Sequence, residues 1–202
     1  MADRLDELVE AAGPLLDRVD SVLSVVGAPE GHRVWAELRR VRLLPGDAVR
    51  AVCDLRPDAV LESMPELRDY TRAYADLADA LPVADTWSGE AAEAYEQARR
   101  RAAVHLNGGP DSLGHRMGAT ADLGDALAEW MRRTRGDLAM ALAEVLGSAE
   151  AVTLSAGELT PDEEASAAAE VAALLLRTVA DNYDRGEQLL DESAALQNAL
   201  LV

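Results

Sequence analysis

The sequence contains no lysine, no isoleucine and no phenylalanine, and aromatic residues make up only 3% of its 202 positions. All three missing residues have A/T-rich codons, so their joint absence indicates a high-G+C genome. With so few aromatic side chains, the core must be aliphatic and rich in alanine, leucine and valine. These residues favour close helix packing, and no segment alternates long enough to predict a strand. We therefore predict an all-α fold, an elongated helical bundle.

Cysteine and histidine are also scarce, which limits the chemistry available. Cys53 is the single cysteine, so we exclude an intramolecular disulfide and expect a small core residue. His32, His105 and His115 lack metal-ligand spacing with one another or with Cys53. No Gly-x-Ser-x-Gly nucleophile elbow and no glycine-rich phosphate loop occurs. We therefore expect a non-enzyme that uses no cofactor and no metal.

The charge is strongly negative, with a net value of −18. Such a surface repels phosphates, so we expect neither nucleic acid nor an anionic membrane as a main partner. The arginines form three clusters, at 39–42, 99–101 and 132–135. Each lies on a predicted helix among acidic residues, which predicts a solvated, ion-paired face. An electrostatic docking patch is the alternative for these clusters.

The sequence predicts neither a signal peptide nor a membrane-spanning segment. Residues 1–7 are acidic and carry no apolar run, so we expect no secretory signal peptide. No apolar stretch is long enough to predict a membrane span. Export of such a protein would need an internal signal.

Helix patterns cover most of the chain. The first runs over residues 5–23, where Gly13-Pro14 is expected to kink or split it. Further helices are predicted from about 34 to 44, 47 to 55 and 113 to 152. The last is predicted from Thr160-Pro161 to about 200, with Thr160 as the cap, Pro161 at the first helical position and Glu163 three residues after the cap. We divide the chain into a helical N-terminal extension (1–56), a helical hairpin (57–106) and a second long helical pair (107–202), the last two forming one continuous domain.

The hairpin is predicted from two helix patterns on either side of Trp87-Ser88-Gly89. Upstream, Ser63 can cap a helix with Glu66 reaching back, and Pro82 ends the pattern. Downstream, Ser88 can cap a second helix on which small residues and one tyrosine recur at helical spacing. That series consists of Ala91, Ala94, Tyr95, Ala98 and Ala102. The Trp-Ser-Gly segment is therefore predicted to form the turn, where Trp87 can either plug the end of its own bundle or dock on a partner.

The segment 85–95 resembles the Trp-x-Gly (WXG) family of helical-hairpin substrates of type VII, ESX-like secretion, in which small residues and an aromatic follow the motif. Actinobacteria use this secretion and have high-G+C genomes. The resemblance implies a second half of the signal, Tyr-x-x-x-Asp/Glu on a helix, and Tyr183 with Glu187 has this spacing. Residues four apart lie on one helix face, and we expect both side chains on one exposed turn of the last helix. The implied docking residues are therefore Trp87, Gly89, Tyr183 and Glu187.

The leading hypothesis is a non-enzymatic type VII secretion substrate or secretion-associated protein that docks by helix faces. The resemblance implies the secretion machinery with its motor ATPase as partner, with another helical-hairpin protein or a second copy as further partners. It implies a cytoplasmic protein that is then secreted or held at the cell envelope. One alternative is a cytosolic helical adaptor or chaperone for another hairpin protein. Another is the targeting region of a modular toxin, against which the lack of a catalytic segment counts.

The stretch 107–112 decides whether both halves of this signal meet in one chain. Asn107-Gly108-Gly109-Pro110 combines turn formers with a residue that cannot donate to a helix. We expect it to reverse the chain. By helix rise, a reversal would return Tyr183 to nearly the level of Trp87. A kink would instead leave the two motifs apart and require a second molecule.

Overall fold

The computed structural model of the chain describes residues 4–156 and 159–199. Within these ranges the chain forms helices and turns without any strand, which confirms the predicted all-α class. The helices are α1 (Arg4–Val25), α2 (Val34–Val41), α3 (Pro45–Cys53), α4 (Pro57–Glu62), α5 (Met64–Asp79), α6 (Glu90–Asn107), α7 (Leu113–Leu146), α8 (Ala149–Ser155) and α9 (Pro161–Ala199).

Two predicted helices differ from the observed ones. The first is not split, because α1 continues through Pro14. Gly13 has no Cβ to clash with the proline ring, and Pro14 lies on the exposed side of the helix. The helix predicted over 113–152 instead breaks after Leu146. There the Ser148 hydroxyl accepts a hydrogen bond from the Ala151 amide at 3.1 Å and caps α8.

The described chain divides into two compact units, which we name the core unit and the hairpin unit. The core unit combines the residues up to Leu55 with Trp130–Gln188, and the hairpin unit contains Arg56–Glu129 and the chain from Leu189 onward. The first boundary lies between Leu55 and Arg56, one residue before the predicted division. The second lies inside α7 and not at 107, so the N-terminal helices pack with the later parts of α7 and with α9.

The core unit is held together by aliphatic side chains from α1, α3, α7 and α9. The fully buried ones include Leu5, Val19, Val49, Leu138, Leu142, Leu175, Leu176 and Val179. Between them lie many buried alanines, among them Ala168, Ala169 and Ala172 on α9. Small residues allow helices to approach closely, so a core almost without aromatic rings can still pack densely. The aliphatic, alanine-rich core agrees with the composition.

The short helix α3 is capped at both ends by side chains from other helices of the core unit. At its start, the Gly46 amide donates to both carboxylate oxygens of Asp20, at 3.0 and 3.2 Å. At its end, the Arg135 guanidinium donates to the Cys53 carbonyl at 2.5 Å. An anion at the start and a cation at the end both complement the helix dipole. These two side chains therefore fix α3 within the core unit.

Of the predicted capping boxes, one forms and one does not. Thr160 and Glu163 bond reciprocally at the start of α9, with Thr160 N donating to Glu163 Oε2 at 3.0 Å. This bond lowers the pKa of Glu163. Ser63 makes no capping bond to α5, since its own backbone is helical where a cap needs an extended residue. Glu66 accepts instead from the Tyr70 hydroxyl at 3.0 Å.

In the hairpin unit, α5 and α6 contact each other and run antiparallel. Near the start of α6, the Tyr95 hydroxyl donates to the Pro82 carbonyl at 2.8 Å, just beyond the end of α5. At the other end of α6, Asn107 borders the same surface cavity as Thr71 in the middle of α5. The connection between the two helices spans residues 80–89, so Trp87-Ser88-Gly89 forms only its last part.

The first part of α7 is also antiparallel to α5. Met64 at the start of α5 lies against Gly124, and Thr71 further along lies against Gly118. Helices antiparallel to the same helix point in the same direction, so α6 and the first part of α7 do too. The predicted reversal of the chain at 107–112 is therefore wrong.

The link between α6 and α7 explains this outcome. Gly108 still donates to the Val104 carbonyl at 2.8 Å, so it extends the hydrogen bonding of α6. Ser112 N then donates to Gly109 O at 3.0 Å, which closes a single tight turn. The turn formers therefore interrupt the helix but leave the direction of the chain unchanged. The rise argument for bringing Trp87 and Tyr183 together within one chain therefore loses its premise.

Candidate functional site

Trp87 lies at the tip of the hairpin unit, where it is 47% exposed. Its ring packs against Tyr95 of α6, with 5.7 Å between the ring centroids and a tilt of 53°. Tyr95 is in turn held by its hydrogen bond to Pro82. The tyrosine thus supports one face of the indole while much of the tryptophan stays in solvent. This geometry fits a surface contact residue better than a plug over the end of a bundle.

Gly89 begins α6 in a conformation that favours glycine. Its φ is +98°, and an added Cβ would meet no atom within 4 Å. The constraint is therefore the backbone angle and not crowding. Ser88, predicted as the cap of this helix, does not occupy the cap position, since Gly89 does so without any side-chain hydrogen bond. The glycine of the motif thus sets how the chain leaves the tip.

Apolar surface continues around the tip. Leu77 and Val83 are each at least half exposed, and Trp87 is almost half exposed. The small residues of α6 that share one helix face, Ala91, Ala94, Ala98 and Ala102, are also exposed. Their spacing indicated a packed face, but Tyr95 is the one member of that predicted series that is partly buried. Spacing alone could not show which face of an alanine-rich helix turns inward.

The second half of the predicted signal lies on α9 in the core unit. Glu187 is exposed, but Tyr183 is partly buried and packs against the core. The Tyr183 ring lies 6.2 Å from the Trp130 ring, centroid to centroid. We expected both residues on one exposed turn, and for Tyr183 this is wrong. An aromatic side chain surrounded by apolar surface turns inward even when its neighbours are polar.

Trp130 is a neighbour of Tyr183 that the sequence did not single out. Its indole N–H donates to the Asn182 carbonyl on α9 at 2.7 Å. Its ring lies over Gly186, where an added Cβ would come within 2.8 Å of it. The glycine inside the Tyr-x-x-x-Glu segment therefore has a packing role. The signal that could have found it is a glycine in the middle of a long predicted helix.

Burial raises the pKa of the Tyr183 hydroxyl. A raised pKa means that the neutral tyrosine is favoured in the folded state, so its contribution to stability is complete below the unfolded value near 10. That contribution is lost as the pH rises through the folded pKa. We therefore expect alkaline destabilisation to be steeper in the wild type than in Tyr183→Phe, as measured by urea unfolding between neutral pH and the tyrosine range. Identical profiles would contradict burial of this hydroxyl.

The two halves of the signal lie in different units, Trp87 and Gly89 in the hairpin unit, and Tyr183 and Glu187 in the core unit. Within the described residues, no group of three or more histidine, cysteine or carboxylate side chains could hold a metal ion. No single described helix is apolar and long enough to cross a membrane, although α7 and α8 pass that test as a pair bent by 60°.

In the third arginine cluster, Arg132 and Arg133 are exposed as predicted, but Arg135 is not. Arg135 is buried, at 7% exposure, and bonds to the end of α3. The sequence did not show that the end of a distant helix lies beside Arg135.

In comparisons with known proteins, no family model, no curated protein and no solved structure matches this chain.

Proposed function

We propose that this protein is a non-enzymatic type VII secretion substrate or secretion-associated protein that docks on the secretion machinery, with its motor ATPase, through the hairpin tip. The proposal rests on the resemblance of residues 85–95 to the Trp-x-Gly family. The observation that supports it best is the exposure of Trp87. A tryptophan is costly to leave in water, and one supported on a single face by Tyr95 offers a large, rigid contact surface.

Trp87→Ala is expected to abolish export while leaving the fold intact. Because the ring is about half exposed, its loss should cost roughly 1 kcal/mol, well below the ~3–5 kcal/mol of a fully buried aromatic. Thermal melting measures the change in stability. The amount of protein in the culture filtrate of a host with type VII secretion measures export. Trp35→Ala is the matched control. Trp35 is 37% exposed in the core unit, and its loss should leave export unchanged.

Normal export of the Trp87→Ala variant would contradict the proposal. A loss of several kcal/mol in the free energy of unfolding would instead show that Trp87 has a structural role.

The second half needs variants that respect the burial of Tyr183. Tyr183→Phe keeps the packed ring and removes only the hydroxyl, and Glu187→Gln removes only the charge of an exposed side chain. We expect both variants to fold as the wild type does, by circular dichroism and melting, and to be exported less. Glu192 lies further along the same helix, and Glu192→Gln serves as the charge control. Full export of both test variants would remove Tyr183 and Glu187 from the signal.

A cytosolic adaptor for another hairpin protein is the second candidate, and the exposed alanine face of α6 favours it. A face of small residues lets a second helix approach closely. The two candidates differ in where the protein accumulates: an adaptor stays in the cell extract bound to its partner, whereas a substrate reaches the filtrate. Ala94→Glu and Ala98→Glu should release a bound partner in the first case.

A further inference from the structure

A basic stretch interrupts the acidic surface of the hairpin unit. Between residues 97 and 121 the sequence has four arginines, at 99–101 and 116, and a single acidic residue, Asp111. Two histidines, His105 and His115, lie in the same stretch. In a chain of net charge −18, this stretch is locally positive. It lies at the end of α6 opposite Trp87 and continues into α7.

A groove of about 540 Å³ lies within this stretch. Arg100, Arg101 and His105 from α6 line one side, and the turn at Pro110 lines the other. Val104 also lines it and is 59% exposed, which leaves a branched apolar side chain in solvent between the charged ones. The volume falls in the range of sites that hold small ligands or a short piece of chain. The groove thus combines positive charge with an apolar wall.

The arginines in and beside the groove differ in whether they pair with a carboxylate. Arg99 and Arg100 both bond to Glu96, at 2.8 and 2.9 Å, and together they lower the pKa of Glu96 to about 2. Arg101 pairs with no carboxylate in the part of the chain that the structure describes. Asp111 also lines the groove, so three arginines stand against two carboxylates, Glu96 and Asp111, in and beside it, which leaves a small net positive charge. Guanidinium groups bind carboxylates with two parallel hydrogen bonds.

We propose that this groove binds an acidic segment of a partner protein, with carboxylates on Arg100 and Arg101 and one large apolar side chain against Val104 and Pro110. A nucleic acid also carries negative charge, but its length and its polar backbone do not match the groove. Its long polyanion would extend over the acidic remainder of the chain, and its phosphates gain nothing from Val104. This surface is separate from the Trp87 tip, and its test does not depend on export.

The experiment is isothermal titration of the full chain with three blocked peptides, Glu-Glu-Leu-Glu-Glu, Glu-Glu-Gly-Glu-Glu and Lys-Lys-Leu-Lys-Lys. We expect the first to bind with Kd below about 1 mM, the second several-fold more weakly, and the third not at all. Raising the salt from about 0.05 to about 0.5 M should weaken binding, since exposed charges are then screened. A single-stranded oligonucleotide is titrated beside the peptides.

The double variant Arg100→Gln/Arg101→Gln should weaken binding of the first peptide about tenfold, the effect expected of two exposed charge pairs. Arg72→Gln is the matched control, an exposed arginine on α5 that pairs with Asp69, and it should bind as the wild type does. Absence of peptide binding, equal binding of the glycine peptide, unchanged binding by the double variant or tighter binding of the oligonucleotide would each overturn the proposal.

Discussion

Replacing Arg135 by alanine is expected to lower the free energy of unfolding by about 3 kcal/mol. The side chain is 7% exposed. Its guanidinium donates to the Cys53 carbonyl at 2.5 Å and to Asp6 Oδ1 at 3.0 Å. Truncation would leave the last carbonyls of α3 without this donor inside the protein. A buried acceptor that loses its donor costs its full desolvation energy, which makes such changes larger than surface ones.

Urea unfolding of Arg135→Ala beside Arg177→Ala measures this effect. Arg177 also lies in the core unit, but its side chain is 65% exposed and its pair with Asp181 is a surface pair at 3.7 Å. That substitution should change stability by less than about 0.5 kcal/mol. High salt should leave the Arg135 effect in place, since screening acts on exposed charges. A loss below about 1 kcal/mol in Arg135→Ala would show that water replaces the guanidinium at α3.

Features that depend on neighbours in sequence could be predicted. The capping box of Thr160 and Glu163 forms, because both partners lie within one turn of the same helix. The all-α class followed from composition and spacing, which reflect local helix propensity. Helix ends beside Pro82 and Pro161 were predicted within a few residues, whereas the break at Gly147 was not predicted. The start of α9 at Pro161 is one such end.

Features that depend on distant residues could not be predicted in this way. Asp20 and Arg135 cap α3 from positions far along the chain, and nothing near either residue in sequence indicates a helix end. The direction of the chain after 107–112 was wrong for the same reason. Turn formers give the position of a break, whereas the packing of α7 against α5 sets the direction after it. In the candidate site, the burial of Tyr183 depended on Trp130, a residue 53 positions away in sequence.

Gly186→Ala is expected to destabilise the core unit by about 2 kcal/mol. In an open helix position this substitution stabilises, because alanine is the better helix former by about 1 kcal/mol. At Gly186, however, the new Cβ would lie 2.8 Å from Trp130 Cε2 and 3.1 Å from its Nε1. The ring would have to move, which costs about 1–3 kcal/mol in a packed interior. Its hydrogen bond to the Asn182 carbonyl would be weakened as well, by about 1 kcal/mol.

Gly136→Ala provides the control with the opposite sign. Gly136 also lies inside a long helix of the core unit, α7, but an added Cβ there meets no atom within 4 Å. We expect this variant to be more stable than the wild type by up to about 1 kcal/mol. Urea unfolding measures both changes, and Trp130 fluorescence can report the displaced ring in a Trp35→Phe/Trp87→Phe background. If both glycine variants were stabilised equally, Trp130 would not be packed on α9 as described, and Tyr183 would lose the neighbour that buries it.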